Sequence, residues 1–243
     1  MIFSKSFTNK QSIKESPMMP MQLFALDPLA RQALKYHPPL YFEEIIECDL
    51  VELQPKNTHR QILLLSQLSS NILTLLLHKL DRCNDPIIIL PESFSSSKEL
   101  LQIATKARIL LSPTDSLISL HLAETLKQLQ IFLYSKNGIS DIQIDQEDVY
   151  SCMQPNTISR ILEHSGQDAL SAIKTLTNHL SNFKSVTSLL LLFHLDMHTP
   201  LLDISNALAY LEENLTSEPL IIFGTQISQI NQIKITTLFT TSP

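Results

Sequence analysis

Glycine occurs only three times in this chain of 243 residues, at Gly138, Gly166 and Gly224. Average usage would place about 17 in a chain of this length. A loop that brings its backbone close to a phosphate needs glycine, because a Cβ obstructs the approach and several loop positions require positive φ. The first 137 residues can therefore hold neither a Walker loop nor a Gly-rich dinucleotide fingerprint. No Ser-His-Asp motif appears elsewhere.

Composition excludes further classes. An apolar content of 44% is ample for a packed core, in one large domain or two small ones. A net charge of −6 and a pI near 5.7 leave no basic stripe to displace counterions from nucleic acid. Cys48, Cys83 and Cys152 are scattered without a CxxC pair, which reads as reduced cytosolic thiols. No apolar run reaches the roughly 18 to 20 residues that cross a bilayer. Residues 1–20 lack the apolar middle of a secretory signal and read as a polar, poorly ordered lead, so a cytoplasmic location is expected.

Short apolar runs alternate with helical patterns. Met21 to Asp27 reads as a strand running into a turn, followed by a helix from Leu29 to Leu34. Residues 36–60 carry Pro38, Pro39 and Pro55 and form a connection, with one short strand or helix between Phe42 and Val51. Gln61 to Leu65, Pro86 to Leu90 and Ala107 to Leu111 are buried strands, with helices from Ser69 or Ser70 to Leu80 and from Ser97 to Lys106. The alternation predicts parallel strands with covering helices.

A long central helix follows. Leu117, Leu120, Leu122, Leu126, Leu129, Phe132 and Leu133 recur mostly at three- and four-residue spacing, and Asp115 or Ser116 can cap the start. Asn137-Gly138 ends it. Beyond lie helices over Pro155–His164 and Gln167–Ser181, a strand over Ser188–Leu195, a helix over Leu201–Leu215 and a strand over Pro219–Phe223. A last, half-exposed strand carries Ile233, Ile235 and Leu238. His194, Asp196 and His198 alternate and could ligate a metal from one strand face, but no fourth ligand or supporting shell is identifiable, so they read as polar side chains at a strand end and turn, and no metal is expected.

The central stretch resembles the FtsZ branch of the tubulin superfamily. There, a long helix ends in a turn like Gly138-Ile139-Ser140-Asp141 and leads to an acidic loop like Ile144-Asp145-Gln146-Glu147-Asp148-Val149. Ser165 to Ala169 opening a helix and Leu220 to Gly224 as a strand resemble the same family, as does the order of elements after residue 138. The resemblance implies an α/β chain: a truncated Rossmann-like domain (21–115), a central helix (116–137) and an α+β domain (138–243).

The same resemblance defines the expected site. The family's Gly-rich phosphate loop would fall on Ser66-Gln67-Leu68-Ser69-Ser70-Asn71. These residues read either as a weakened phosphate cradle at a helix N-terminus or as an ordinary cap. Asp115 falls in the loop that touches the nucleotide sugar. Gln130 replaces the acidic residue that reads guanine, and an amide offers one acceptor and a mismatched donor where a carboxylate offers two acceptors. The family's first strand and its Gly-rich turn should precede Met21 and have no recognisable counterpart, Met21 to Asp27 resembling the third strand.

Asp145 and Asp148 match the pair that positions the attacking water in a neighbouring subunit's pocket. They read equally as acids at a helix N-terminus. The expectation is an FtsZ-like pseudo-GTPase without cofactor, binding or capping FtsZ-type filaments, with no nucleic-acid or direct membrane contact, and without the family's terminal tether peptide. The alternative is a divergent, self-assembling GTPase that uses GTP with magnesium.

Overall fold

The computed structural model describes residues 19–94, 98–114, 116–134, 142–183, 185–228 and 232–242. Five parallel strands form the first half. They are β1 (Met21–Ala25), β2 (Glu44–Glu47), β3 (Arg60–Leu64), β4 (Ile87–Pro91) and β5 (Arg108–Ser112), in the order β2-β1-β3-β4-β5. Helices α1 (Pro28–Tyr36), α2 (Ser70–Leu80) and α3 (Lys98–Ala104) cross between them. Ile62, Leu64, Ile87 and Ile89 pack toward one face of this sheet, and Leu63, Leu65, Ile88 and Leu90 toward the other. Both faces are covered, which is why these strands read as unbroken apolar runs.

The connection after α1 contains both a strand, β2, and a 3₁₀ turn over Leu50–Glu52. Two fully buried amides brace the loops at the amino ends of the strands. Gln22 on β1 and Gln61 on β3 are register partners. The Gln22 carbonyl accepts from the Lys56 N–H at 2.9 Å. Gln61 donates to the carbonyls of Lys56 (2.8 Å) and His59 (2.6 Å) and accepts from the Asn84 N–H at 2.6 Å.

The central helix α4 (Ile118–Leu133) buries Leu122, Leu126, Leu129, Phe132 and Leu133 against the first sheet and the second half together. Its N-cap is Leu117, with no side-chain capping bond, so Ser116 does not cap it. Asp115 and the Gly138-Ile139-Ser140-Asp141 turn lie outside the described residues.

The second half contains α5 (Gln146–Cys152), β6 (Ile158–Gly166), α6 (Ala169–Leu180), β7 (Val186–Leu195), α7 (Leu201–Asn214), β8 (Leu220–Ile227) and β9 (Ile233–Thr241). Parallel pairing of Ile109 with Ile158 joins β5 to β6, so one nine-stranded sheet runs through the chain and continues β6-β9-β7-β8. The helix expected from Pro155 to His164 is thus strand β6. Ile158, Ile161 and Leu162 imitate helical spacing, but nine consecutive pairings with β9 outweigh that local signal. The last strand is not half-exposed. β9 is paired on both sides, and Thr236, Thr237 and Thr240 are fully buried, so their alternation reflects buried hydroxyls rather than a solvent face.

No described glycine adopts positive φ; that conformation falls to Tyr41, Asp85 and Asn156. Gly166 and Gly224 serve close approach instead. A Cβ on Gly166 would lie 2.5 Å from the Ala172 amide nitrogen, and one on Gly224 would lie 2.6 Å from the Ile144 side chain.

Candidate functional site

Doubly wound sheets bind ligands outside the carboxyl ends of their strands, where the strand order reverses. Here that point lies between β1 and β3. β1 is therefore not a peripheral third strand: pairing with both β2 and β3 puts it where the first strand of such a fold stands, and its exit turn is the one that would meet a phosphate.

That turn is Leu26-Asp27-Pro28. Asp27 is the N-cap of α1, extended at φ −147° and ψ 169°, and Pro28 at the first helical position removes one free N–H. One carboxylate oxygen of Asp27 accepts from the Ala30 N–H at 2.9 Å and from the Ser66 hydroxyl at 2.8 Å. The other accepts from the Ser66 N–H at 2.6 Å. Ser66 is buried and immediately follows Leu65 beyond β3. An internal carboxylate thus spans the crevice and holds donors from both turns, in the manner of an anion at a helix N-terminus. Asp27 was not among the site residues expected from sequence, although Asp-Pro after an apolar run signals an N-cap followed by a proline start.

Ser69, Ser70 and Asn71 form the exposed start of α2, with the Ser69 hydroxyl accepting from the Ile72 N–H at 3.4 Å. Capping accounts for Ser69. At the neighbouring carboxyl ends, the Thr114 hydroxyl accepts from the Ser93 N–H at 2.9 Å. Gln130, which the resemblance puts forward as the base-reading residue, donates its amide to the Leu40 carbonyl at 2.7 Å and fixes the 37–43 connection to α4.

Asp145 and Asp148 come together in a reciprocal capping box. The Asp145 carboxylate accepts from the Asp148 N–H at 3.0 Å, and the Asp148 carboxylate from the Asp145 N–H at 2.9 Å. Glu147 pairs with Arg60 at 2.8 Å, and the Arg60 guanidinium lies 3.8 Å from the centre of the Tyr150 ring. Arg60 opens β3 while Ser66 follows its end, about 20 Å away at the rise of a strand. The acidic segment and the crevice therefore occupy opposite ends of the molecule, and neither can serve the other within one chain.

His194, Asp196 and His198 do not converge. The His194 ring is bonded to the Thr236 hydroxyl at 2.9 Å, and the Asp196 carboxylate accepts the His198 N–H. Among the described residues, no group of three or more His, Cys, Asp or Glu is placed to hold a metal. Burial, aided by the charge of Lys234 and opposed by Glu163, pushes the His194 pKa down from 6.5 to about 4. The folded chain keeps this ring neutral where the unfolded chain takes up a proton. Stability is thus expected to fall as pH drops from about 6.5 toward about 4. Urea unfolding across that range should show the slope, and His194→Gln should flatten it.

Among the described residues, cavities lie away from the crevice. A polar one of about 660 Å³, lined by Gln54, Asn57, Arg82 and Asn84 among others, opens at the amino ends of β3 and β4. An apolar one of about 370 Å³ lies along α7 beside Ile142 and Phe223. No helix among the described residues is long and apolar enough to cross a membrane.

No protein-family model matches the sequence, and no curated protein matches it. Solved structures do. An empty FtsZ dimer of M. jannaschii superposes with a TM-score of 0.63 at 11% identity, covering 91% of this chain and 88% of that one. TubZ of type III plasmid segregation gives 0.63 at 9% identity over 93% and 89% of the two chains. TubZ in GDP-form protofilaments from Bacillus thuringiensis serovar israelensis gives 0.57 at 11% over 76% and 62%.

Proposed function

We propose that this chain, which has the tubulin/FtsZ fold, is a pseudo-GTPase that works by protein contact. It docks through its 142–148 segment onto a nucleotide-binding subunit of the same fold and caps a filament of such subunits. One observation carries the reading: the Asp27 carboxylate bridges the crevice at the β1/β3 switch point and takes the Ala30 and Ser66 N–H groups. A phosphate arriving there meets a fixed negative charge and donors already engaged. The amide of Gln130, committed to the Leu40 carbonyl, supports the loss of guanine selectivity.

The acidic segment supports contact with a partner. It lies at the end of the molecule remote from the crevice, on a helix anchored by Arg60 and Glu147. The test has two arms. Calorimetric titration with GTP and magnesium, after acid extraction to check for bound nucleotide, should give no heat at millimolar GTP. The chain mixed equimolar with FtsZ polymer should pellet with it or shorten it. If it does neither, capping fails.

A second reading rests on the exposed start of α2, where Ser69, Ser70 and Asn71 leave backbone donors near the crevice. Micromolar GTP binding, with turnover that Asp145→Ala abolishes while the helix content is kept, would establish a self-assembling GTPase instead.

A further inference from the structure

Strand β8 ends the sheet, and no described strand lies beyond it. Its sequence, Leu220-Ile-Ile-Phe-Gly-Thr-Gln-Ile227, carries no charge and no proline, the devices that usually blunt such an edge. The chain itself uses part of this edge. The Thr225 N–H donates to the Ile142 carbonyl at 2.8 Å, and the Ile142 N–H donates to the Thr225 hydroxyl at 3.1 Å. Thr225 therefore points its backbone outward. By strand alternation, Ile221 and Phe223 do the same.

Beside this edge runs the apolar cavity. Helix α7 buries Ile204, Ala207 and Leu211 and turns a second stripe, Leu201, Ser205, Leu208 and Glu212, toward the cavity opposite Phe223 and Ile142. Leu201 is 53% exposed. A strand laid along Ile221 and Phe223 would place alternate side chains against that stripe, as Ile142 already does.

Charge selects the occupant. Residues 201–228 include Asp203, Glu212, Glu213 and Glu218 and neither Lys nor Arg. Of these, Glu212 lines the groove; two copies joined edge to edge through β8 would set like charges at the same rim, whereas a basic segment would neutralise it. We propose that the first half of β8 and the α7 groove form a strand-addition site for an extended segment of a partner protein, apolar at alternating positions and flanked by Lys or Arg. The site is separate from the nucleotide question, and GTP binding would leave it standing.

The probe is a fluorescein-labelled peptide, Lys-Val-Thr-Val-Thr-Val-Lys, with a control carrying Glu in place of both Lys. Anisotropy with the full chain should show saturable binding of the first and at least tenfold weaker binding of the second. Leu201→Asp should weaken the first tenfold, and Glu212→Lys should reverse the preference. Both changes are at exposed positions, and circular dichroism checks that the fold is kept. No saturable binding, or binding indifferent to both substitutions, would overturn the proposal. So would a peptide-free dimer in sedimentation that Leu201→Asp dissolves, because the occupant would then be a second copy.

Discussion

Replacing Asp27 by alanine is expected to destabilise the chain by about 3 kcal/mol. The cap of α1 contributes about 1 kcal/mol, and the two bonds from Ser66 to an ionised acceptor contribute a further 1.5–3 kcal/mol between them. For a domain of this size the melting temperature should fall by roughly 6–12 °C. Millimolar inorganic phosphate supplies the informative comparison. With the carboxylate gone, the Ala30 and Ser66 N–H groups face an open slot, so phosphate should restore part of the loss in the variant and leave the parent unchanged. Equal stabilisation of both by phosphate would mean that the crevice is not closed from within, and the pseudo-GTPase reading would lose its support. Unchanged stability of Asp27→Ala would mean that the clamp contributes nothing.

Gln61→Leu should cost more, about 4 kcal/mol. Leucine nearly matches the volume, so the loss is polar. The carbonyls of Lys56 and His59 and the N–H of Asn84 lose a partner that is fully buried, at about 1–3 kcal/mol each with partial relief from water at the loops. Thermal unfolding should move down by roughly 8–16 °C. Because Gln61 holds the 56–59 and 84 backbones together, protease cleavage should concentrate in the 53–59 loop of the variant. A variant as stable as the parent would show that the loops are held by Lys79, whose ammonium donates to the Val51 and Leu53 carbonyls, without help from Gln61.

Much of this architecture was legible in the residues. The parallel strands announced themselves as apolar runs because both faces are covered, and α2, α6 and α7 lie within a few residues of their periodic signals. β6 was hidden because Ile158, Ile161 and Leu162 fit a helix as well as a strand, and only its neighbours decide between them. β9 looked half-exposed because threonine does not distinguish water from a buried hydroxyl partner such as Ser159 to Thr240, 3.1 Å apart. The absence of glycine ahead of residue 138 was visible in sequence. The carboxylate clamp across the β1/β3 crevice was not. Asp27 and Ser66 are 39 residues apart, and only the pairing of β1 with β3 brings them together. Asp145 and Asp148 were recognisable as a pair, and their spacing is also that of the capping box they form.

The place of β9 sets an order of assembly. β7 and β8 reach the rest of the sheet only through β9, which is inserted between β6 and β7. During synthesis β7 and β8 can pair with each other and lean on the 142–152 segment as soon as residue 227 is made, but β7 keeps an open flank until residues 233–241 emerge. The closing step joins Ile158 to Thr241 and Gly166 to Ile233, contacts between segments far apart in the chain, so it carries a large loop-closure entropy and should be slow. Until then β6 and β7 each expose an unpaired edge, and that interval is when a nascent chain of this design is most exposed to misassociation and most dependent on chaperone cover.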